Sequence, residues 1–415
     1  MPLPNRLRPL ARALGHPSYR TYAIGNNISL IGTWIQRIAV GWYAWELTES
    51  PAWIGALAFI ELFPSTIVGP VAGAIVDRTD RLKVVKVSQG LLMIVAAAMT
   101  IAAFTGTLSI WLLSILIFLH GVLQAFSQPA RLSLISNLVP PSDLPVAVAF
   151  NSISFNTARF IGPPIAGLII VAGGTAWAFL ANTLTYVLLQ GALAMVRPMS
   201  DTGPDPGRNR DRSLFGEIVE GARYALRHPG IGPMLWLMIA ASVLTRPVVE
   251  LLPGFAGEVF RSDAHGLALL SAAIGIGAVI GGLGLATRER LGGLTRINFV
   301  SGVAVCVMML AFTATDDFAL GLAALGFGGI AMVINGIAGQ TLIQAAVAPG
   351  MRGRVLGIYG IIFRGGPALG ALIMGAISEW TGLRWPVAGG AMIALVIYAW
   401  YFRKLSKISG SLEGG

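Results

Sequence analysis

The stretch Gly73-Ala-Ile-Val-Asp77-Arg78-Thr-Asp80-Arg81-Leu-Lys83 is a short, densely charged loop between two long apolar runs. The run that ends at Asp77 has the length of a helix, so the Asp77 carboxylate lies at a helix C-terminus, where the macrodipole disfavours negative charge. The neighbouring arginines, or the N-terminus of another helix packed on the loop, would offset that cost. An ordinary basic turn accounts for the arginines and the lysine, but it does not account for the two aspartates.

The composition around this loop is that of a membrane protein. Of the 415 residues 55% are hydrophobic and only 12% are charged, against about 25% charged in soluble domains. The net charge of +10 is not concentrated on one segment, which argues against a nucleic-acid partner. The single cysteine, Cys306, cannot form an internal disulfide. No metal-ligand spacing, nucleotide loop or catalytic triad occurs, so we expect no cofactor, no metal and no enzymatic activity.

Twelve apolar runs are long enough to cross a bilayer, which takes about 20 residues each. The sequence therefore predicts an all-α protein with twelve transmembrane helices in two pseudo-symmetric six-helix bundles. The runs lie near 21–45, 52–76, 84–105, 108–128, 145–172, 175–196, 231–256, 265–287, 297–314, 318–345, 354–377 and 385–402.

The distribution of basic residues predicts the orientation. Of the 29 Lys and Arg, 23 fall in the termini and the alternate loops on one side of the predicted membrane, and only Arg261 and Arg384 fall in the opposite loops. Because Lys and Arg accumulate in cytoplasmic loops, both termini are expected in the cytoplasm. Acidic residues and tryptophans cluster near the opposite ends of the runs, as in an interfacial belt.

Internal repeats divide the chain. His16-Pro17 recurs as His228-Pro229, Arg37 is echoed by Arg246, and the Gly-Pro pair at 162–163 returns at 366–367. Repeats of this kind predict two six-helix halves, with a binding site near the midplane. We expect an N-terminal bundle over 1–196, a cytoplasmic linker with an amphipathic helix over 197–230, a C-terminal bundle over 231–405 and a tail over 406–415.

The charged loop resembles the signature loop of the major facilitator superfamily, Gly-x-x-x-Asp-Arg-x-Gly-Arg-Arg, although Asp80 and Leu82 depart from it. The segment Gly162-Pro163-x-x-x-Gly167 resembles the antiporter motif of the superfamily's exporters. The segment Gln128-Pro129-Ala130-Arg131, with Asn151 and Arg159-Phe-Ile-Gly-Pro after it, is similar to that of the bacterial branch that contains the enterobactin exporter and macrolide-efflux proteins. The resemblance implies a bacterial inner-membrane protein that works by alternating access, driven by protons. It also implies a cytoplasmic gate in which the loop meets the start of the eleventh helix. Its candidates are Gly73, Asp77, Arg78, Arg81, Arg352 and Arg354.

Ionisable residues inside the runs are candidates for function. Each costs at least about 2.5–3.5 kcal/mol there, so such residues usually face a cavity or a partner. Arg37 and Glu61 are expected at matched depth, and Arg246 and Glu250 are spaced i,i+4, so both are predicted pairs. They are either structural ion pairs or part of a proton path whose candidates are Glu61, Glu250 and His120. A neutral, hydrogen-bonded histidine is the alternative for His120.

The buried arginines bear on the substrate. Four arginines against two glutamates would make a cavity net positive and would favour an anionic or catecholate-like substrate. Alternatively, Arg159 and Arg364 bond backbone carbonyls freed by Pro163 and Pro367. The cavity candidates are Arg37, Arg159, Arg246, Arg364, Gln36, Asn151, Asn335 and Gln340, some of whose amides would instead join helices. The helix-packing candidates are Gly162, Pro163, Gly167, Gly366, Pro367 and Gly370.

These observations predict an exporter of an amphipathic small molecule, siderophore-like or drug-like, by proton antiport. Its partners would be the substrate, protons and the lipid bilayer, and the chain is expected to act as a monomer. A lipid or lysolipid flippase of the same fold is one alternative. A transport-inactive sensor or scaffold is another, although it would not need the charged loop or the intramembrane charges.

Overall fold

A computed structural model describes residues 8–76, 78–200, 214–286, 288 and 291–413. In this part of the chain the regular structure is helical, with a π-helical turn at Phe255–Val259 and a 3₁₀ turn at Pro349–Met351. The helices are α1 Arg8–Gly15, α2 Pro17–Thr48, α3 Pro51–Val76, α4 Arg81–Phe104, α5 Ile110–Ile135, α6 Leu144–Gly173, α7 Thr175–Met195, α8 Leu214–Arg227, α9 Ile231–Leu244, α10 Val248–Gly254, α11 Ala264–Ala286, α12 Leu294–Thr313, α13 Phe318–Ala346, α14 Arg352–Thr381, α15 Arg384–Phe402 and α16 Leu405–Glu413.

The predicted membrane helices are present. Within the described residues, eleven segments are long and apolar enough to cross a membrane, and α9, α10 and the π turn together make one of them. The remaining predicted span is α2, whose 32 residues exceed the length a bilayer requires. It carries Arg20, Asn26, Gln36 and Arg37, and these polar residues lower its hydropathy. The architecture is thus the predicted twelve-helix membrane fold.

One compact unit contains the described residues up to 43 and those of 63–200. Its core includes two fully buried aromatic residues, Tyr186 and Phe179, on α7. Polar side chains bridge its helices: the Asn182 amide donates to Gln36 at 2.6 Å, and the Gln89 amide donates to Ser127 at 2.5 Å. Such bonds between membrane helices hold polar side chains that lipid would not solvate.

The second compact unit contains residues 44–62 together with the described residues from 214 onward. The first half of α3 packs there against α14. A Cβ on Gly55 would overlap the Ala371 carbonyl, so both backbones need the glycine. Glu379 accepts hydrogen bonds from the Ser50 hydroxyl and, at 3.1 Å, from the Ala52 N–H, which caps the start of α3. The six-helix halves predicted from the repeat are a division by sequence, and the compact units differ from them over 44–62.

The seventh predicted span is interrupted. It is helical to Leu244, turns at Thr245, Arg246 and Pro247, and resumes as α10. Proline has no backbone N–H and its ring clashes with the preceding turn, which explains the break. The Arg246 N–H accordingly reaches back to the Ala241 carbonyl, at 3.1 Å. A further irregularity follows in the π turn at Phe255–Val259, a feature that is frequent at functional sites.

Three short helices lie outside the spans. The amphipathic helix predicted before His228 is α8, and α1 stands before His16 in the same way. The tail predicted at 406–415 is helical to Glu413, with Ile408 and Leu412 buried. The Glu413 carboxylate accepts the backbone N–H groups of Gly293 and Thr295, both at 2.6 Å, at the start of α12. Burial raises the pKa of this carboxyl, but the hydrogen bonds from Thr295 and Gly293 outweigh burial and lower it.

Candidate functional site

In the first unit, two arginines flank one tryptophan. The guanidinium carbon of Arg37 lies 5.4 Å from the centre of the Trp34 indole, and that of Arg159 lies 5.6 Å from it. Phe155 meets the same indole edge-on, with ring centres 5.9 Å apart. The distances of the two guanidinium groups from the indole are within the range of a cation–π interaction, which is about 6 Å. We call Trp34, Arg37, Phe155 and Arg159 the α2–α6 cluster.

The Gly-Pro segment of α6 sets the geometry of this cluster. A Cβ on Gly162 would overlap the Cβ of Trp34, so glycine lets α6 approach α2 closely. Gly162, Pro163 and Gly167 are all buried. The predicted role of these residues in helix packing agrees with this placement.

A polar chain lies nearby in the first unit. Arg131 donates to the side-chain Oδ1 of Asn26, and the Asn26 side-chain amide donates to the Oδ1 of Asn151 at 3.2 Å. Tyr22 donates from its hydroxyl to the Arg131 carbonyl, at 3.4 Å. Asn151, a predicted cavity residue, therefore joins α6 to α2 and through α2 to α5.

The second unit has its own cation–aromatic group. The guanidinium carbon of Arg246 lies 4.6 Å from the centre of the Phe363 ring. Phe363 is stacked on Tyr359, with ring centres 5.9 Å apart and planes at 17°, and the Tyr359 hydroxyl donates to the Gly336 carbonyl at 3.3 Å. We call Arg246, Tyr359 and Phe363 the α9–α14 cluster.

Glycines again permit close packing. A Cβ on Gly366 would overlap Ser242, and one on Gly370 would overlap the Val243 carbonyl and the Pro247 ring. The glycines of α14 thus seat this helix against the end of α9, beside the break that carries Arg246. Pro367, the third member of this packing set, is half-buried within α14.

Arg364 differs from the other intramembrane arginines. It lies near the middle of the 30-residue α14, and its side chain is exposed. Within the described residues it has neither a hydrogen bond nor an ion pair. The alternative in which Arg364 bonds carbonyls freed by Pro367 is therefore not what the structure contains.

The predicted pair of Arg246 and Glu250 does not form. In the part of the chain that the structure describes, Arg246 makes no ion pair and faces Phe363 instead. The physical reason is the break at Pro247, which removes the regular i,i+4 spacing on which the prediction rested. Glu61 and Glu250 are half-buried, and His120 is buried with 3% of its surface exposed. Their roles in proton transfer stay predictions.

Two predicted cavity amides are buried in helix contacts. Gln36 is 2% exposed and accepts from Asn182. Asn335 donates to the Asn298 carbonyl at 2.9 Å, and Asn298 donates back to the Asn335 carbonyl at 2.7 Å. These contacts favour the alternative in which the amides join helices. Gln340, by contrast, is exposed.

The gate candidates occupy defined positions at the helix ends. Arg81 donates to Asn137 at 3.1 Å, and Arg354 pairs with Glu220 at 2.9 Å, whereas Arg78 and Arg352 are exposed. A Cβ on Gly73 would meet no atom within 4 Å. Asp77 lies outside the described residues, so its predicted contact near Arg352 and Arg354 stays a prediction.

Asp80 has a simpler role than its charge suggested. Its carboxylate accepts the Lys83 N–H at 3.1 Å and caps the N-terminus of α4. An N-cap aspartate satisfies one of the free N–H groups of the first turn. Of the two aspartates in the loop, only Asp77 then needs another explanation.

A buried carboxylate outside the spans was not predicted. Asp143 has 2% of its side chain exposed, and it accepts from Arg12 at 2.6 Å and contacts His16 at 3.0 Å. Its bond with His16, together with the charge and hydrogen bond of Arg12, lowers the pKa of this carboxyl, while burial opposes that change. The contact fastens α1 to the start of α6.

The aromatic members of the clusters were only partly visible in the sequence. Trp34 and Arg37 are three residues apart, and Tyr359 and Phe363 are four apart, so each pair shares a helix face. Such spacings could have identified them. The contact of Arg246 with Phe363 joins two distant segments and leaves no signal in the sequence.

Known proteins resemble the whole chain. A family model described as transmembrane secretion effector matches residues 8–411. Macrolide efflux protein A of Streptococcus pyogenes is 22% identical over 383 residues, which cover 91% of this chain and 94% of that protein. The enterobactin exporter EntS of Shigella flexneri is 25% identical over 368 residues, which cover 87% of this chain and 85% of that one.

Solved structures agree in fold. A bacterial homologue of the human lysosomal transporter Spinster, in an inward-facing and unoccupied conformation, superposes with a TM-score of 0.75 at 14% identity, over 95% of this chain and 98% of that one. A POT family transporter in complex with 5-aminolevulinic acid gives a TM-score of 0.74 at 11% identity, over 94% of this chain and 96% of that one.

The family match covers nearly the full sequence, and these relatives and structural neighbours are transporters rather than enzymes. The relatives indicate a protein of the bacterial inner membrane. The chain therefore belongs to the transmembrane secretion effector family of the major facilitator superfamily, and it is a membrane transporter of the efflux type.

Proposed function

We propose that this protein exports an amphipathic small molecule that carries an anionic group and an aromatic ring, by alternating access and proton antiport. Siderophore-like and drug-like molecules are the substrate classes. Both termini would lie in the cytoplasm, as the distribution of Lys and Arg predicts.

Arg364 carries the proposal. A guanidinium in the middle of a membrane helix is costly unless it faces a cavity or a partner. Arg364 is exposed and has no partner among the described residues. A water-filled path that admits an anion explains both facts, because the anion supplies in transit the charge that the protein does not supply.

The two clusters support an aromatic substrate. Their arginines lie against aromatic faces, at 5.4 and 5.6 Å from Trp34 and 4.6 Å from Phe363. Phe155 and Phe363 are 41% and 39% exposed, so each cluster has accessible ring surface. An aromatic anion could stack on such a surface and approach the guanidinium with its charge, and cation–π contacts of this kind are worth about 0.5–2 kcal/mol.

Glu61 and Glu250 are the proposed proton carriers, with His120 as the third candidate. A carboxyl on a membrane helix binds a proton more readily when it is desolvated and releases it when an arginine approaches. Substrate movement and proton movement would be coupled if the same transition changes both environments.

The test is transport in proteoliposomes under an imposed pH gradient. Enterobactin serves as the anionic catecholate probe and a macrolide as a probe without an anionic group, since the relatives are named for these substrates. We expect the gradient to accelerate enterobactin transport and Glu61→Gln or Glu250→Gln to abolish that acceleration while binding persists.

Two outcomes would contradict the proposal. Enterobactin flux that is independent of the pH gradient in the wild-type protein would rule out proton antiport. An unchanged pH dependence in both glutamine variants would exclude the glutamates as carriers. Arg403→Gln, which removes one exposed charge beyond α15, is the matched control for Arg364→Gln, the variant that removes the arginine on which recognition of the anion rests.

A further inference from the structure

The second unit contains a cavity away from both clusters. Its volume is about 520 Å³, which is within the range of ligand sites. Its walls come from the π turn and the residues after it, from the α12–α13 connection and from the α14–α15 connection. The residues that matter here are Glu258, Arg261, Asp316, Arg384 and Trp385.

The charges of this cavity are of both signs. Arg384 donates to the Thr315 carbonyl at 3.2 Å and pairs with Asp316, so these two charges largely satisfy each other. Arg261 is exposed, and within the described residues its guanidinium has no ion-pair partner. Glu258, also exposed, accepts a backbone hydrogen bond from Leu383 and keeps further acceptor capacity. The cavity thus offers one guanidinium and one carboxylate to a ligand.

Tryptophans mark the depth of the cavity. Trp380 and Trp385 flank the α14–α15 connection and are 86% and 70% exposed. Exposed tryptophans at the ends of membrane helices lie at the level of the lipid headgroups. In the proposed orientation this end faces the outer leaflet.

We propose that this cavity binds the headgroup of a zwitterionic aminophospholipid, phosphatidylethanolamine. The phosphate would accept hydrogen bonds from Arg261, as guanidinium groups bind phosphate in a bidentate way. The ammonium would donate to Glu258, and Trp385 would cover the acyl end of the headgroup. An anionic lipid such as phosphatidylglycerol would satisfy Arg261 but would bring no ammonium to Glu258, which otherwise interacts with the charges of Arg384 and Glu379.

The experiment measures lipid selectivity at Trp385. Purified protein is reconstituted in bilayers that contain brominated phosphatidylethanolamine or brominated phosphatidylglycerol, and the Trp385 contribution is the difference in fluorescence quenching between wild type and Trp385→Phe. We expect about a fivefold preference for phosphatidylethanolamine in the relative association constant, which corresponds to about 1 kcal/mol.

The variants assign that preference to the carboxylate. Glu258→Gln should remove the preference, and Glu258→Lys should reverse it in favour of phosphatidylglycerol. Glu49→Gln is the matched control, because Glu49 is an exposed carboxylate in the connection between α2 and α3 and does not line the cavity. Size-exclusion profiles and circular dichroism establish that each variant is folded.

Equal quenching by the two lipids in the wild-type protein would overturn the proposal, as would an unchanged preference in Glu258→Gln. If the headgroup fails to bind while enterobactin or the macrolide protects Trp385, the cavity is a site for the exported molecule. That result also rejects the lipid proposal and leaves the transport proposal standing.

Discussion

Helices α6 and α14 occupy equivalent places in the two sequence repeats, and both use small residues to pack on the first helix of their repeat, through Gly162 on α6 and Gly366 and Gly370 on α14. Both also meet a short surface helix at their N-terminal end. There the similarity in chemistry ends. In the contact at α6 the buried residue is an acid, Asp143, and the exposed one is Arg12. In the contact at α14 the less exposed residue is a base, the half-buried Arg354, and the exposed one is Glu220.

The helix dipole makes these two arrangements unequal. A carboxylate at a helix N-terminus is stabilised by the macrodipole, so Asp143 lies where α6 favours negative charge. Arg352 and Arg354 lie in the first turn of α14, where positive charge is disfavoured. The pair with Glu220 offsets part of that cost.

From this difference we expect the Asp143 contact to be structural and the α14 arginines to serve the predicted gate. Asp143 strengthens the attachment of α1 without any electrostatic conflict. The arginines of α14 oppose the dipole, and Glu220 offsets only part of that cost. An acidic partner such as Asp77 would relieve it in one conformational state, which is the gate that the charged loop predicts.

The packing glycines should give the largest difference between the two helices. Gly370→Ala places a methyl group against the Val243 carbonyl and the Pro247 ring, neither of which can rotate away. Overpacking typically costs about 1–3 kcal/mol. We expect the upper end here, where two groups are overlapped, and a smaller cost for Gly162→Ala, where the added methyl overlaps one atom, the Cβ of Trp34. Thermal unfolding in detergent measures both.

The control for this pair is Gly191→Ala on α7, where an added Cβ meets no atom within 4 Å. It should leave stability unchanged or raise it by up to about 1 kcal/mol, the helix propensity gain of alanine. A Gly370→Ala protein as stable as the Gly191→Ala protein would mean that α14 does not pack tightly on α9.

Arg364 on α14 and Arg159 on α6 can be compared by their effects on substrate transport. Arg364→Gln should lower the specificity constant for an anionic probe about tenfold, or by ~1.4 kcal/mol in transition-state free energy, with Arg364→Lys between it and wild type. Arg159→Lys should have a smaller effect, because Arg159 shares Trp34 with Arg37. Flux of a macrolide is the comparison, and an equal loss for both probes would argue against recognition of an anion.

Substitutions in the Asp143–Arg12 and Arg354–Glu220 pairs test whether the two contacts differ in their contribution to stability. Asp143→Asn removes a carboxylate that is 2% exposed and serves two cations, so it should lower the unfolding temperature clearly. Glu220→Gln removes an acid that is 61% exposed and should cost no more than about 1 kcal/mol.

Arg354→Gln should leave stability nearly unchanged, since it removes a charge that opposes the dipole, yet it should slow transport. A strongly destabilised Arg354→Gln protein would make that arginine structural.

The sequence allowed the helices, the repeat and the superfamily to be predicted because hydropathy and local spacing encode them. It also singled out Arg37, Arg159, Arg246 and Arg364 as arginines inside membrane helices, and their role in a substrate cavity stays a prediction. The sequence did not reveal contacts between distant segments. Arg246 faces Phe363 rather than Glu250, because the helix is interrupted at Pro247, and Gln36 accepts a hydrogen bond from Asn182. Asp143 gave no signal, since its partners lie 131 and 127 residues away.

The repeated histidines should give the smallest effect. His228 accepts the N–H groups of Gly230 and Ile231 on its Nδ1, at 3.2 and 3.1 Å, and so caps α9 only while that nitrogen is unprotonated. Burial lowers the pKa of His228 from its usual value. Its contribution is therefore complete above the unfolded pKa of about 6.5 and is lost as the pH falls through the folded pKa.

His228→Asn keeps a hydrogen-bond acceptor without a titrating ring. Between pH 8 and 5.5 the wild-type unfolding temperature should fall more steeply than that of the variant. The difference should correspond to under about 1 kcal/mol of unfolding free energy, because the site is partly exposed. His265→Asn is the control, since His265 is exposed and only its backbone N–H is bonded, by Asp263. Parallel pH profiles for the wild type and His228→Asn would show that the ring does not stabilise the start of α9.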